Sequence, residues 1–142
     1  MTELSQHEVR AVHPEHLDIV WPRVLPLIER ALARGQGDES TPEDVLSRLA
    51  TGESQLWVVA RESEITAAAV LSVMDSAKKR KLHIDILSGT DMPAWVDQLE
   101  DLFRKFKDRV DADCIEASCR PGLARVLSNR GWRRKAVVMS IE

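Results

Sequence analysis

The chain has no tyrosine, two phenylalanines and four tryptophans among its 142 residues. So few aromatics leave no platform on which bases could stack. A net charge of −3 gives no general attraction to nucleic acid or to a membrane surface. No run of about eighteen apolar residues occurs, so a membrane-spanning helix is not expected. The stretch Met1-Thr2-Glu3-Leu4-Ser5-Gln6-His7-Glu8 has neither the basic nor the apolar region of a secretory signal. Cysteine is scarce too. If Asp113–Cys119 is a strand, Cys114 and Cys119 point to opposite faces and form no disulfide with each other. Free thiols fit a reducing compartment, and the expectation is a cytoplasmic protein. No metal site is read from the sequence.

What is present suffices for one domain, residues 1–142, with 44% hydrophobic content to build a core. His7–Val12 is a short strand candidate. Leu17, Val20, Trp21, Val24, Leu27, Ile28, Ala31 and Leu32 trace one helical face between Pro14 and Arg34. Pro22 and Pro26 are expected to kink or restart that helix. Thr41-Pro42-Glu43-Asp44 starts a second helix, with Thr41 as N-cap and Pro42 at the first helical position. Gln55–Arg61 and Ile65–Met74 read as a hairpin around Glu62-Ser63-Glu64. Cys114–Ala117 is a strand, Pro121 opens a helix that Gly131 closes, and Lys135–Ile141 is a last strand. Leu123, Val126 and Leu127 form that helix's buried side, and Val137 and Met139 belong to the core. All four tryptophans, Trp21, Trp57, Trp95 and Trp132, sit at buried-face positions.

Between these lies the most informative stretch. Leu82-His83-Ile84-Asp85-Ile86-Leu87 alternates like a strand, Ser88 to Pro93 turns, and Trp95, Leu99, Leu102, Phe103 and Phe106 recur at helical spacing. A strand, a tight turn and a helix N-terminus can hold phosphate on backbone N–H groups. This turn, Ser88-Gly89-Thr90-Asp91-Met92-Pro93, has one glycine, one carboxylate and a proline that supplies no N–H. Thr90 and Asp91 read as the N-cap of the following helix. The strands at Leu82–Leu87 and Cys114–Cys119, linked by a helix, are expected to be parallel.

The order β-α-α-β-β-β-α-β-α-β resembles the GNAT (Gcn5-related N-acetyltransferase) fold over nearly the whole chain. Its most specific local match is Arg120-Pro121-Gly122-Leu123-Ala124-Arg125-Val126-Leu127-Ser128-Asn129-Arg130-Gly131-Trp132, which looks like the late helix ending in a Gly-aromatic pair. Val20-Trp21-Pro22, Gln55-Leu56-Trp57-Val58 and Ile65-Thr66-Ala67-Ala68-Ala69-Val70 resemble small GNAT-like proteins of tailed bacteriophages. The implied class is α/β (α+β): one GNAT-like domain with a mixed central sheet of about six strands. Two helices follow the first strand, and a crossover helix joins the parallel pair.

The resemblance also implies where chemistry would sit. Acetyl-CoA pyrophosphate would lie on a Gln/Arg-x-x-Gly-x-Gly/Ala loop, which here corresponds to Leu87, Ser88, Gly89, Thr90, Asp91 and Met92. No Gln or Arg opens that loop, and bulky or acidic side chains fill its small-residue slots. The tyrosine that many relatives use to protonate the departing thiolate is replaced by Leu127. Ser118, Cys119 and Ser128 remain as possible donors, and Glu64, Asp75, His83 and Asp85 as possible bases, with His83, Asp85 and Cys119 the catalytic candidates. The leading expectation is therefore a degenerate acetyl-CoA site, with no cofactor, in a phage-type virion or morphogenesis accessory protein. Its rival is an acyl-CoA-dependent N-acetyltransferase with an atypical loop and acetyl-CoA as its substrate. A non-catalytic ligand sensor is a third. A sheet edge left beside a lone final strand is expected to take a protein partner or a second copy. Lys78-Lys79-Arg80-Lys81 and the arginines from Arg120 onward read as solvated charge rather than a nucleic-acid surface.

Overall fold

The computed structural model describes residues 7–37 and 39–142. A five-stranded sheet runs in the order β1-β2-β3-β4-β5, built from Glu8–Val12, Ser54–Arg61, Glu64–Asp75, Arg80–Gly89 and Cys114–Ala117. The first four strands are antiparallel neighbours, and β4 and β5 are parallel. Helices α1 (Leu17–Ala33) and α2 (Pro42–Thr51) lie between β1 and β2. Helix α3 (Met92–Arg109) makes the β4-to-β5 crossover, and α4 (Pro121–Ser128) follows β5.

The central strands are apolar on both faces because both are covered. On one side Trp57, Val59, Leu71, Leu82 and Ile84 pack against Trp95, Leu99 and Phe103 of α3. Trp57 meets Phe103 and Phe106 edge-on, at ring centroids 5.5 and 5.6 Å apart. On the other side Leu56, Val58, Ala68, Val70 and Ile86 pack against Val24, Leu27, Ile28 and Ala31 of α1 and Val45 and Leu49 of α2. The hairpin turn at Glu62 and Ser63 has positive φ at both residues, the geometry that matches the twist of its strands.

Several sequence expectations change. Of the kink or restart expected at Pro22 and Pro26, no restart occurs: helix α1 is continuous from Leu17 to Ala33. Both prolines are exposed and four residues apart, so the carbonyls they leave unpaired face water. Lys135–Ile141 is not a strand, and Val137 and Met139 are 67% and 87% exposed rather than in the core. The sheet therefore has five strands where about six were expected. Val126 is exposed rather than buried, because the apolar stripe of α4 turns partly toward a cleft. Trp21 and Trp132 are half-buried, and Trp57 and Trp95 are core. Cys114 and Cys119 are free and half-buried. Among the described residues no helix is long and apolar enough to cross a membrane, and none group to hold a metal.

Candidate functional site

Strands β4 and β5 pair only from Lys81↔Cys114 to Ile84↔Ala117. Beyond that point β4 continues to Gly89 while the chain after β5 turns toward α4. The two parallel neighbours therefore part, and the gap opens into a cleft of about 210 Å³. Ala31, Arg34 and Gln36 form one wall; Ser88, Gly89, Met92 and Trp95 form the floor. Arg120, Gly122, Leu123 and Val126 of α4 form the far wall.

A bulge prepares the parting. Val70 pairs with Ile86 and Leu71 with Ile84, so Asp85 is an extra residue without a partner on β3. One inserted residue reverses the alternation. Ile84 consequently packs on the α3 side and Ile86 on the α1/α2 side. The apolar-polar pattern around Asp85 gave no sign of the bulge, since it looks regular from Leu82 through Ile86.

Asp85 and Ser118 are the first residues past the last parallel pair, and a polar chain runs from there across the sheet. His83 Nδ1 lies 2.6 Å from Asp85 Oδ1, and His83 Nε2 lies 3.3 Å from Ser118 Oγ. Ser72 Oγ donates to Asp85 Oδ2 at 2.5 Å, with Ser54 Oγ 2.9 Å behind it. In the tautomer whose Nδ1 proton is held by the carboxylate, Nε2 is the acceptor that faces the Ser118 hydroxyl. The side chains of His83 and Asp85 are 19% and 18% exposed, within reach of solvent but fixed on both sides. The pairing of His83 and Asp85 on one face was legible in the sequence; Ser118 joining them was not, because it needs the β4–β5 register.

The other expected candidates separate. Cys119 follows Ser118, and burial pushes its thiol up against the opposing influence of Arg134, so it is a protonated thiol at neutral pH. Glu64 stands at the hairpin opposite Arg61, and Asp75 is tied to Arg80 at 2.7 Å. Ser128 is exposed at the end of α4, and Leu127 is buried.

The loop into α3 is also clear. A Cβ on Gly89 would lie 2.3 Å from Ala67 Cβ and 2.7 Å from Thr66 O. The close approach to β3 by itself requires a glycine here. Thr90 N–H donates to Thr66 O at 3.2 Å, and Trp95 Nε1 donates to Thr90 O at 2.8 Å. Asp91 occupies the N-cap position with φ 60° and ψ 38° and makes no side-chain cap bond. The expected N-cap is thus present in position only: a left-handed backbone aims the carboxylate away from the helix. It lies 3.8 Å from His7 Nε2 instead.

One occupant of the cleft was not foreseen. The N–H of Leu87 points away from β3 and donates to Gln36 Oε1 at 2.8 Å. Gln36 sits between Gly35 and Gly37, whose φ values of 89° and 77° let the loop turn the side chain inward. A carbonyl oxygen of the chain itself therefore satisfies a β4 N–H that the parting would orphan. Arg34 and Arg120 line the same cleft, and neither makes an ion pair among the described residues.

No protein-family model matches the chain, and no curated protein matches it. Solved structures do. A GCN5-related N-acetyltransferase from Ralstonia eutropha JMP134 superposes with a TM-score of 0.70 at 14% identity, over 96% of this chain and 98% of that one. A probable acetyltransferase gives 0.67 at 20% identity, over 95% and 98%. The aminoglycoside N-acetyltransferase AAC(6')-Iy in complex with CoA gives 0.68 at 13% identity, over 100% and 97%. The chain has the fold of the GNAT acetyltransferases.

Proposed function

We propose that the protein is an acyl-CoA-dependent N-acyltransferase whose site is built differently from the glycine-loop pattern. The observation that carries this is the Leu87 N–H, turned into the cleft and already holding a carbonyl oxygen. A thioester carbonyl that replaced Gln36 there would find a fixed donor for the negative charge developing on its oxygen. Arg34 and Arg120 supply positive charge for CoA phosphates, where the loop from Ser88 to Met92 supplies little. His83, held by Asp85, is the base. Its Nε2 takes the proton of the attacking amine through the Ser118 hydroxyl, and the collapse of the intermediate returns one proton to the departing CoA thiolate. Asp85 orients the imidazole and offsets its charge.

The neighbours that support the fold are acetyltransferases, and one of them is a CoA complex. The phage accessory role gains nothing from them. The deciding experiment is calorimetric titration with acetyl-CoA and with free CoA, followed by assay of CoA release against a panel of amines. Micromolar binding with amine-dependent release supports the enzyme. Binding without release leaves a ligand sensor. No heat up to roughly millimolar ligand, an affinity worth less than about 4 kcal/mol, overturns the proposal and returns the molecule to a scaffold.

A further inference from the structure

The polar chain that crosses the sheet holds more than a base. Ser118 stands in the short connection between Ala117, the end of β5, and Pro121, the start of α4. The residue is exposed, so a small ester can reach its hydroxyl. His83 Nε2 lies 3.3 Å from that hydroxyl, and His83 Nδ1 lies 2.6 Å from Asp85 Oδ1. Nucleophile, base and orienting carboxylate thus follow one another within hydrogen-bond reach. Such a set is recognised by geometry and roles, not by order in the chain.

The carboxylate is held on both oxygens. Its second oxygen, Oδ2, accepts from Ser72 Oγ at 2.5 Å, and Ser54 Oγ lies 2.9 Å from Ser72 Oγ. Ser54 is buried. A buried hydroxyl costs free energy unless it is paired, and here two in series back one acid. The other carboxylate beside the imidazole is taken. Glu116 pairs in register with His83, but it is ion-paired with Lys81 at 3.4 Å and with Lys135. His83 is therefore left to Asp85 on one side and Ser118 on the other. A serine hydroxyl is a weak nucleophile until a base oriented in this way takes its proton as it attacks. Helix α4 starts at Pro121 with no side-chain cap, so the positive end of its dipole lies at the end that Ser118 leads into.

We infer that Ser118, His83 and Asp85 form a serine-nucleophile triad, and that the protein hydrolyses small acyl esters and thioesters through an acyl-Ser118 intermediate. Ser118 Oγ bonds to the acyl carbon while its proton passes to His83 Nε2. The bond from that carbon to the leaving oxygen or sulfur breaks, and the leaving group takes the proton from His83. Water then gives a proton to the same Nε2 and attacks the ester. The bond to Oγ breaks, Oγ recovers the proton, and a carboxylic acid departs. His83 and Asp85 are shared with the acyltransferase reading, but nothing assigned to CoA is needed.

The test uses the full chain without CoA or amine. Diisopropyl fluorophosphate, which phosphorylates activated serines, should leave one adduct, mapped to Ser118 by mass spectrometry and absent from Ser118→Ala. p-Nitrophenyl acetate should be hydrolysed by the protein, and Ser118→Ala should fall to the buffer rate with an unchanged circular dichroism spectrum. His83→Gln should slow both reactions by roughly a hundredfold or more. Asp85 is a positioning residue: Asp85→Asn should slow both by roughly tenfold or more, and Asp85→Glu should recover part of the loss. No adduct, or an adduct on another residue such as Cys119, overturns the inference. So does hydrolysis that Ser118→Ala leaves unchanged. Hydrolysis through Ser118 with no heat from acetyl-CoA supports this inference and sinks the acyltransferase reading. Amine-dependent CoA release with no adduct at Ser118 does the reverse.

Discussion

Helices α2 and α3 both begin with a proline in the first turn, and they begin in opposite ways. At α2, Thr41 Oγ1 accepts from Asp44 N–H at 3.1 Å, and Asp44 accepts from Thr41 N–H at 2.9 Å. Both ends of this capping box are closed, and the Thr41 hydrogen bonds hold the Asp44 carboxyl below its usual range. At α3 the residue in the same position, Asp91, is left-handed and caps nothing. One helix start is finished by its own sequence. The other stands at the cleft without a side-chain cap, its Ala94 N–H held only by the Asp91 carbonyl at 3.0 Å, on the floor where Met92 and Trp95 lie. The contrast separates what the chain spends on stability from what it leaves available to a ligand.

The largest test of that contrast falls on Gly89, the residue leading into α3. A methyl group there must displace Ala67, so Gly89→Ala should cost about 3 kcal/mol, read as a lower melting temperature and urea midpoint. If Gly89 served a phosphate instead, the variant would lose ligand affinity at near-normal stability. Next comes the clasp that holds the far wall of the cleft. Glu100 accepts from Arg130, Arg104 and the Trp132 indole, tying the end of α4 onto α3. Burial raises the Glu100 carboxyl, and those hydrogen bonds more than reverse it, leaving it below its usual range. A depressed carboxyl stabilises the fold above its unfolded value, about 4.3, and that contribution is lost as pH falls through the folded value. Glu100→Gln should cost about 2 kcal/mol at pH 7 and flatten the acid limb of the stability curve. An acid limb unchanged by the variant would show that other carboxylates set it.

Thr41→Ala and Asp91→Gly then oppose the two helix starts directly. The first should destabilise by about 1 kcal/mol and leave acetyl-CoA binding untouched. The second relieves a left-handed non-glycine residue and should stabilise by about 0.5 kcal/mol. It also removes a carboxylate next to Met92, which lines the cleft, and affinity for acetyl-CoA should rise several-fold. Equal effects of both variants on binding would erase the distinction between the two ends.

How much of this could be read from the residues follows the same division. Thr41-Pro42-Glu43-Asp44 announced α2 because a capping box is local chemistry within four residues. The hairpin at Glu62-Ser63 and the parallel pair around α3 were legible for a similar reason: periodicity and turns are short-range. Asp91 was not, since a left-handed N-cap leaves no mark in composition. The bulge at Asp85 hid inside a regular alternation, and only pairing with β3 reveals it. Lys135–Ile141 has the alternation of a strand but pairs with no strand among the described residues, and a strand is defined by its neighbour. Gln36 and Leu87 are 51 residues apart in sequence, and no local pattern joins them.

That last contact gives the smallest and most discriminating prediction. Gln36 Oε1 and a thioester carbonyl are alternative acceptors for one N–H, so they compete. Gln36→Ala removes the internal competitor and exchanges it for water, which a ligand displaces more readily. The variant should bind acetyl-CoA a few-fold tighter, with free CoA unchanged, because free CoA has no acyl carbonyl to offer. Gln36→Glu should do the reverse: a carboxylate holds the Leu87 N–H more strongly than an amide and repels the phosphates of the ligand. The size of the effect is set by one hydrogen bond, and its sign depends on whether the ligand carbonyl comes to Leu87. Equal gains for acetyl-CoA and free CoA in Gln36→Ala would mean the side chain merely obstructs the cleft. No change in either would place the carbonyl elsewhere, and the Leu87 N–H would then serve the loop that carries Gln36 rather than the reaction.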